Sequence, residues 1–140
     1  MRLVLDTNTA LSGLLWGGPP GRLIQAGQGG EIEIASSVAL LTELRDVLGR
    51  PKFARRLTQR GFTGARVFGD YVALVGIVAP ALITPTILRD PADDAVLAAA
   101  VGAVADLIVS GDAHLLNLKS FQGIDIVTAA TADGRIHPAG

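Results

Sequence analysis

Short apolar runs alternate along this chain with stretches patterned for helix. Residues 2–5 form an apolar run closed by Asp6-Thr7-Asn8, the signature of a buried strand leaving a sheet. Strands are predicted again over 31–35, where polar and apolar residues alternate, and over 76–78, 106–109 and 124–127. Helical patterning is predicted over 9–16, over 22–26 after the loop Gly17-Gly18-Pro19-Pro20-Gly21, and from Ser36 or Ser37 to about residue 48. Further helices are expected over 53–60, 63–75 and 113–116, and from Pro91, with Asp90 as N-cap, to about residue 104. The tail beyond Ala132, about 133–140, reads as loose. Strands separated by helices imply parallel β-α units, hence an α/β fold with a parallel sheet. At 140 residues, without repeats or low-complexity tracts, residues 1–140 are expected to form one domain.

Composition narrows the function classes. Apolar residues make up 49% of the chain and mean hydropathy is positive, high for a soluble monomer, so a homodimer or higher homo-oligomer, or another partner surface, is expected. No membrane span is expected: the run 72–88 contains Pro80 and Pro85, and 95–109 is broken by Asp106. Asp6 interrupts the N-terminus too early for a secretory signal, and the absence of Cys excludes disulfides, Cys-based zinc sites and cysteine nucleophiles. A cytoplasmic location is the expectation. Net charge is −1, yet seven of the twelve basic residues lie between positions 45 and 66: Arg45, Arg50, Lys52, Arg55, Arg56, Arg60 and Arg66. That window holds one acid, Asp46. Such a stripe is either a solvated helix face or a seat for a polyanion.

The chemistry lies in acids set among apolar residues. Asp6 ends the first strand run, Glu43 borders the apolar stripe Leu40-Leu44-Val47, and Asp94 opens an alanine-rich helix. Asp112 follows the run Leu107-Ile108-Val109-Ser110-Gly111. Ligand sites in parallel sheets lie at the carboxyl ends of strands, so Asp6 and Asp112 are expected to face one crevice. Carboxylates brought together repel unless protons or a cation compensate, and a hard divalent metal takes oxygen ligands. Thr7, Asn8 and Ser110 are expected to orient these carboxylates. Each acid has a plainer reading as a turn or cap residue. Asp90 and Asp93 are read as cap and first-turn acids of their helix, whereas Asp94 shares a face with Leu97, Ala98 and Val101 and is assigned to the site. Zinc-protease, P-loop and nucleophile-elbow motifs are absent.

Together the segments Val4-Leu5-Asp6-Thr7-Asn8, Glu43, Asp94-Ala95-Val96-Leu97-Ala98-Ala99-Ala100 and Ile108-Val109-Ser110-Gly111-Asp112-Ala113-His114-Leu115-Leu116 resemble the PIN-domain nucleases over nearly the whole chain. The resemblance implies a three-layer α/β/α sandwich around a short parallel sheet. It also implies a ribonuclease dependent on Mg2+ or Mn2+, one or two ions, that hydrolyses RNA phosphodiesters with metal-activated water. Asp6, Glu43, Asp94 and Asp112 would be its acidic quartet, supported by Ser110 and Asn8, while the adjacent Asp93 could replace or assist Asp94. Residues 89–94 resemble a subgroup of VapC-type toxin components, which implies a cognate antitoxin protein as partner. Arg45, Arg50, Lys52, Arg55, Arg56 and Arg60 would hold the RNA backbone. A housekeeping RNA-processing or structure-specific nuclease, and a non-catalytic RNA- or protein-binding module, are the alternatives.

Overall fold

Alternation of side chains along each strand divides the core in two. A computed structural model of the protein describes residues 1–84 and 91–138. Its strands are β1 (Arg2–Leu5), β2 (Glu33–Ser36), β3 (Gly76–Ile77), β4 (Leu107–Val109), β5 (Ser120–Phe121) and β6 (Ile124–Val127). Its helices are α1 (Thr7–Leu15), α2 (Gly18–Gln28), α3 (Val38–Leu48), α4 (Pro51–Gln59), α5 (Gly64–Leu74), α6 (Pro91–Ala103), α7 (Ala113–Leu116) and α8 (Ala129–Ile136). Leu3, Leu5, Ile34, Leu107 and Val109 point to one side of the sheet, into a cluster with α1, α2, α3, α5 and α8. Val4, Ala35, Ile108, Ile124 and Ile126 point to the other, against α6 and α7. Helices on both faces make the expected α/β/α sandwich.

The sheet order is β3-β2-β1-β4-β6-β5. All pairings are parallel except β5 with β6, so the sheet is mixed at one edge rather than wholly parallel. The chain runs outward from β1 through β2 to β3, then crosses to β4 on the opposite side of β1. That reversal between β1 and β4 is the switch point at which α/β sheets open a crevice at their carboxyl ends.

Several boundaries differ from the sequence expectation. The first helix begins at Thr7, because Asp6 itself caps it, accepting from Thr9 N at 2.8 Å. The second begins at Gly18, with both prolines accommodated in its first turn, where helix N–H groups are unpaired anyway. The tail is not loose from residue 133: α8 spans Ala129–Ile136 behind its N-cap Thr128. It packs on α2, buries Ala132 completely, and is tied by an Arg22–Asp133 ion pair at 2.7 Å. The proposed capping role of Asp90 lies outside the described residues.

Two local features hold α6 in place. Gly102 meets the chain that follows β3 so closely that a Cβ there would stand 2.2 Å from the Ala79 carbonyl oxygen. Nearby, Ala81 N donates to Ala98 O at 3.0 Å. This close seating matters because α6 carries the acids of its first turn to the crevice.

Candidate active site

Register brings the two strand-end acids together. Leu5 pairs with Val109, so the residues that follow, Asp6 and Ser110, are neighbours across the switch point. Asp6 N donates to Val109 O at 3.1 Å. The Asp6 carboxylate is buried and held at both oxygens: Thr9 N donates to Oδ1, and Ser110 Oγ donates to Oδ2 over a short 2.5 Å. Ser110 Oγ in turn accepts from Asp112 N at 2.9 Å. Asp112 Oδ1 accepts from His114 N at 2.7 Å, capping α7. One serine hydroxyl thus links the acid after β1 to the loop that positions the acid after β4.

A cavity of about 80 Å3 opens beside Asp6, lined by Asp6, Thr7, Asn8, Glu43, Ala92, Asp93, Val96 and Asp112. Glu43 arrives from α3, whose start is fixed by the buried N-cap Ser37, and stands half-buried beside the stripe of Leu40, Leu44 and Val47. Of the residues expected at the site, Asp6, Glu43, Asp112, Thr7, Asn8 and Asp93 line this cavity. Ser110 lies behind it, bonded to Asp6.

Asp94 is not where the sequence assignment put it. Asp93 is buried and lines the cavity, whereas Asp94 is half-buried and is not among its lining residues. The buried positions of α6 are Asp93, Val96, Leu97, Ala99, Ala100 and Ala103. The face that meets the sheet therefore follows 93, 96, 97, 100 and 103, one residue out of phase with the expected 94, 97, 98 and 101. Leu97 belongs to either stripe and cannot set the phase. Val96, the bulkier neighbour three residues beyond Asp93, is the signal that could have.

The cavity suits a cation. Four carboxylates line it and, among the described residues, no basic side chain does. Thr7 Oγ1, on the same wall, is buried with no hydrogen-bond partner, an oxygen left for water or for an ion's hydration shell. The donors are all oxygen, the set preferred by Mg2+ and Mn2+. Among the described residues no three acidic or imidazole groups cluster closely enough to form a ready-made cage. Mg2+ characteristically keeps several waters and takes one or two carboxylates plus substrate phosphate oxygens. The cavity has room for a few waters.

The sequence profile of the PIN domain matches residues 2–114. This chain belongs to the PIN-domain family. A comparison with curated proteins gives no match. PIN domains are generally nucleases and usually use divalent metals, so a nuclease activity follows for this PIN domain at that level. The match begins with β1 and ends just past Asp112, so it spans all four acids around the cavity.

Behind the site, Tyr71 of α5 is buried, a residue the sequence reading did not single out. Burial pushes its phenol pKa far up, and the negative charge of Asp6 pushes it further, so the ring stays neutral. Among the described residues no helix is long and apolar enough to cross a membrane.

The basic stripe is divided in its contacts. Arg45 pairs loosely with Asp46 at 3.9 Å. Arg60 donates to the Leu15 carbonyl at the end of α1, and the Arg56 guanidinium stacks on the Trp16 ring. Arg50, Lys52 and Arg55 are exposed.

Proposed function

We propose that this PIN domain is an endoribonuclease dependent on Mg2+ or Mn2+, with Asp6, Glu43, Asp93 and Asp112 holding the metal. The observation that carries this reading is the cavity itself: four acidic residues from four separate stretches of chain line one small space. When bound, the cation supplies Lewis-acid stabilisation to the scissile phosphate and acidifies water for attack. Asp6 is firmly fixed, because bonds from Thr9 N and Ser110 Oγ set its orientation while lone pairs on both oxygens remain. Thr7 and Asn8 offer uncharged oxygens at the cavity wall. The cations of α4 hold the RNA backbone, so binding weakens as salt rises.

Asp6→Asn tests the reading. Asn caps helices as well as Asp, so the fold is expected to survive. Metal-dependent cleavage of single-stranded RNA should fall on the order of 100-fold or more. Cleavage that persists in this variant, or that chelator leaves untouched, refutes the mechanism.

Within this reading the protein acts as the toxin of a toxin–antitoxin pair, in the cytoplasm where its RNA lies. The likeness of residues 89–94 to toxin components supports the role. The exposed apolar side chains Val38, Ile77 and Val104 supply surface for an antitoxin or a second copy of the chain. Growth arrest on expression of the wild type but not of Asp6→Asn is the expected result.

A further inference from the structure

The most exposed aromatic surface of the molecule lies away from the acids. Trp16 is the only tryptophan in the chain, and half of its surface is exposed. It sits just past the end of α1, the helix whose first residue follows Asp6, so the nine residues of α1 place it roughly 14 Å along the helix from the crevice. The Arg56 guanidinium carbon stands 3.4 Å from the centre of its ring, a face-on stack that holds the indole in one orientation. Arg60 fixes the same corner from its bond to the Leu15 carbonyl.

Charge argues for what covers the ring. Among the described residues, Lys52, Arg55, Arg56 and Arg60 make no ion pair with an acid. Arg56 Nε is buried without a hydrogen-bond partner. Only Leu57 of α4 is buried, and Lys52 and Arg55 are exposed on the same helix whose Arg56 stacks on the indole. A rigid, half-exposed aromatic ring flanked by unpaired cations is the combination that binds single-stranded nucleic acid, with the base on the ring and the phosphates on the cations.

We infer that Trp16, braced by Arg56, is a base-stacking site that seats an unpaired nucleotide of the RNA substrate away from the cleavage site. The inference rests on the ribonuclease reading for its choice of RNA. It adds a selection rule, since bases inside a duplex are already stacked and offer no free face. The enzyme therefore takes single strands, gripping them both at the acids and at Trp16.

The test reads binding alone, on the full chain with chelator present, using the emission of Trp16 as the probe. A short oligoadenylate RNA should quench that emission saturably. A duplex of equal length, and an equal-length phosphate backbone lacking bases, should bind weakly and quench little. In the variants, which lack tryptophan, binding is read from the anisotropy of an end-labelled oligoadenylate: Trp16→Ala should weaken it roughly 5- to 150-fold, the range of one base–aromatic stack, and Trp16→Phe should restore most of it. Equal quenching by the base-free strand would reduce the site to charge alone and overturn the inference. So would unchanged affinity in Trp16→Ala, no binding of any oligonucleotide, or an emission shift that follows protein concentration, which would mean a second copy covers the ring. The quenching of the wild type needs no variant to fold. Because no cleavage is read, a protein that stacks RNA but never cuts it refutes the nuclease reading and leaves this site standing.

Discussion

Asp6 performs two tasks with one carboxylate. It caps α1 through Oδ1 and faces the acidic cavity, and Ser110 holds the other oxygen. A turn or cap role and a site role were competing readings of this residue in the sequence; the cap is observed, and the same carboxylate lines the cavity. The paired acids of α6 separate more sharply. Asp93 lies on the buried face with Val96 and Ala100, while Asp94 sits one step of 100° further round, off the cavity. Asp93→Asn is expected to lower metal-dependent cleavage on the order of 100-fold, and Asp94→Asn to leave it within roughly 3-fold. Turnover of a fluorogenic RNA at saturating Mn2+ checks both. The reverse ranking would return the site to Asp94. The acids were legible as a set because each interrupts an apolar pattern. The choice between neighbours was not, because an alanine-rich helix is apolar nearly all round and its phase is fixed only by the sheet it meets.

At the scale of elements, periodic segments were legible and contact-made ones were not. β1, β6, α3 and α5 lie close to their expected bounds because each has a clear apolar period, and the two helices are capped: Ser37 and Thr63 accept from Leu40 N and Arg66 N. β5 has only two residues and exists through its antiparallel pairing with β6, for which no local pattern is available. The end of α6 carries a local conflict. Ala105 N donates to Ala100 O, the long closing bond of a Schellman turn, which puts Val104 in the left-handed position at φ 51°. Glycine is the usual occupant, and a β-branched residue is strained there. The left-handed conformation costs about 1–2 kcal/mol for an L side chain, while glycine gives back roughly 0.5–1 kcal/mol in unfolded-state entropy. Val104 is 80% exposed and contributes little packing. Val104→Gly should therefore raise stability by about 0.5–1 kcal/mol, read as a higher urea midpoint with unchanged slope.

For the whole molecule, α8 closes the fold and does so with charge. Ions from three distant parts of the chain meet there: Arg22 with Asp133 at 2.7 Å, and His137 with Glu31 at 2.7 Å and Asp133 at 3.1 Å. Two of these pairs, Arg22–Asp133 and Glu31–His137, are long-range and could not be read from the tail alone, which explains why the stretch from residue 133 looked loose. The same network makes closure depend on pH. Hydrogen bonds that the protonated His137 ring donates to Asp133 and then to Glu31 raise its pKa above 6.5. Its contribution is fully present below 6.5 and is lost as pH rises through the raised folded value. Hydrogen bonds from Arg22 and then His137 lower the Asp133 pKa below 3.8, so its contribution is present above 3.8 and is lost as pH falls through the lowered value. The clasp is thus strongest between 3.8 and 6.5 and weakens on the alkaline side first. His137 and Glu31 lie at the surface, so salt should shrink their part of the effect. Amide hydrogen exchange in α8 is the sensitive measurement, because local opening of a terminal helix shows there before it moves the global unfolding transition. Wild type should protect α8 better than His137→Ala near pH 5.5 in low salt, and the two should converge above pH 8. Equal protection at both pH values would mean that apolar packing of Ala132 against the core, rather than the His137 clasp, holds the helix down.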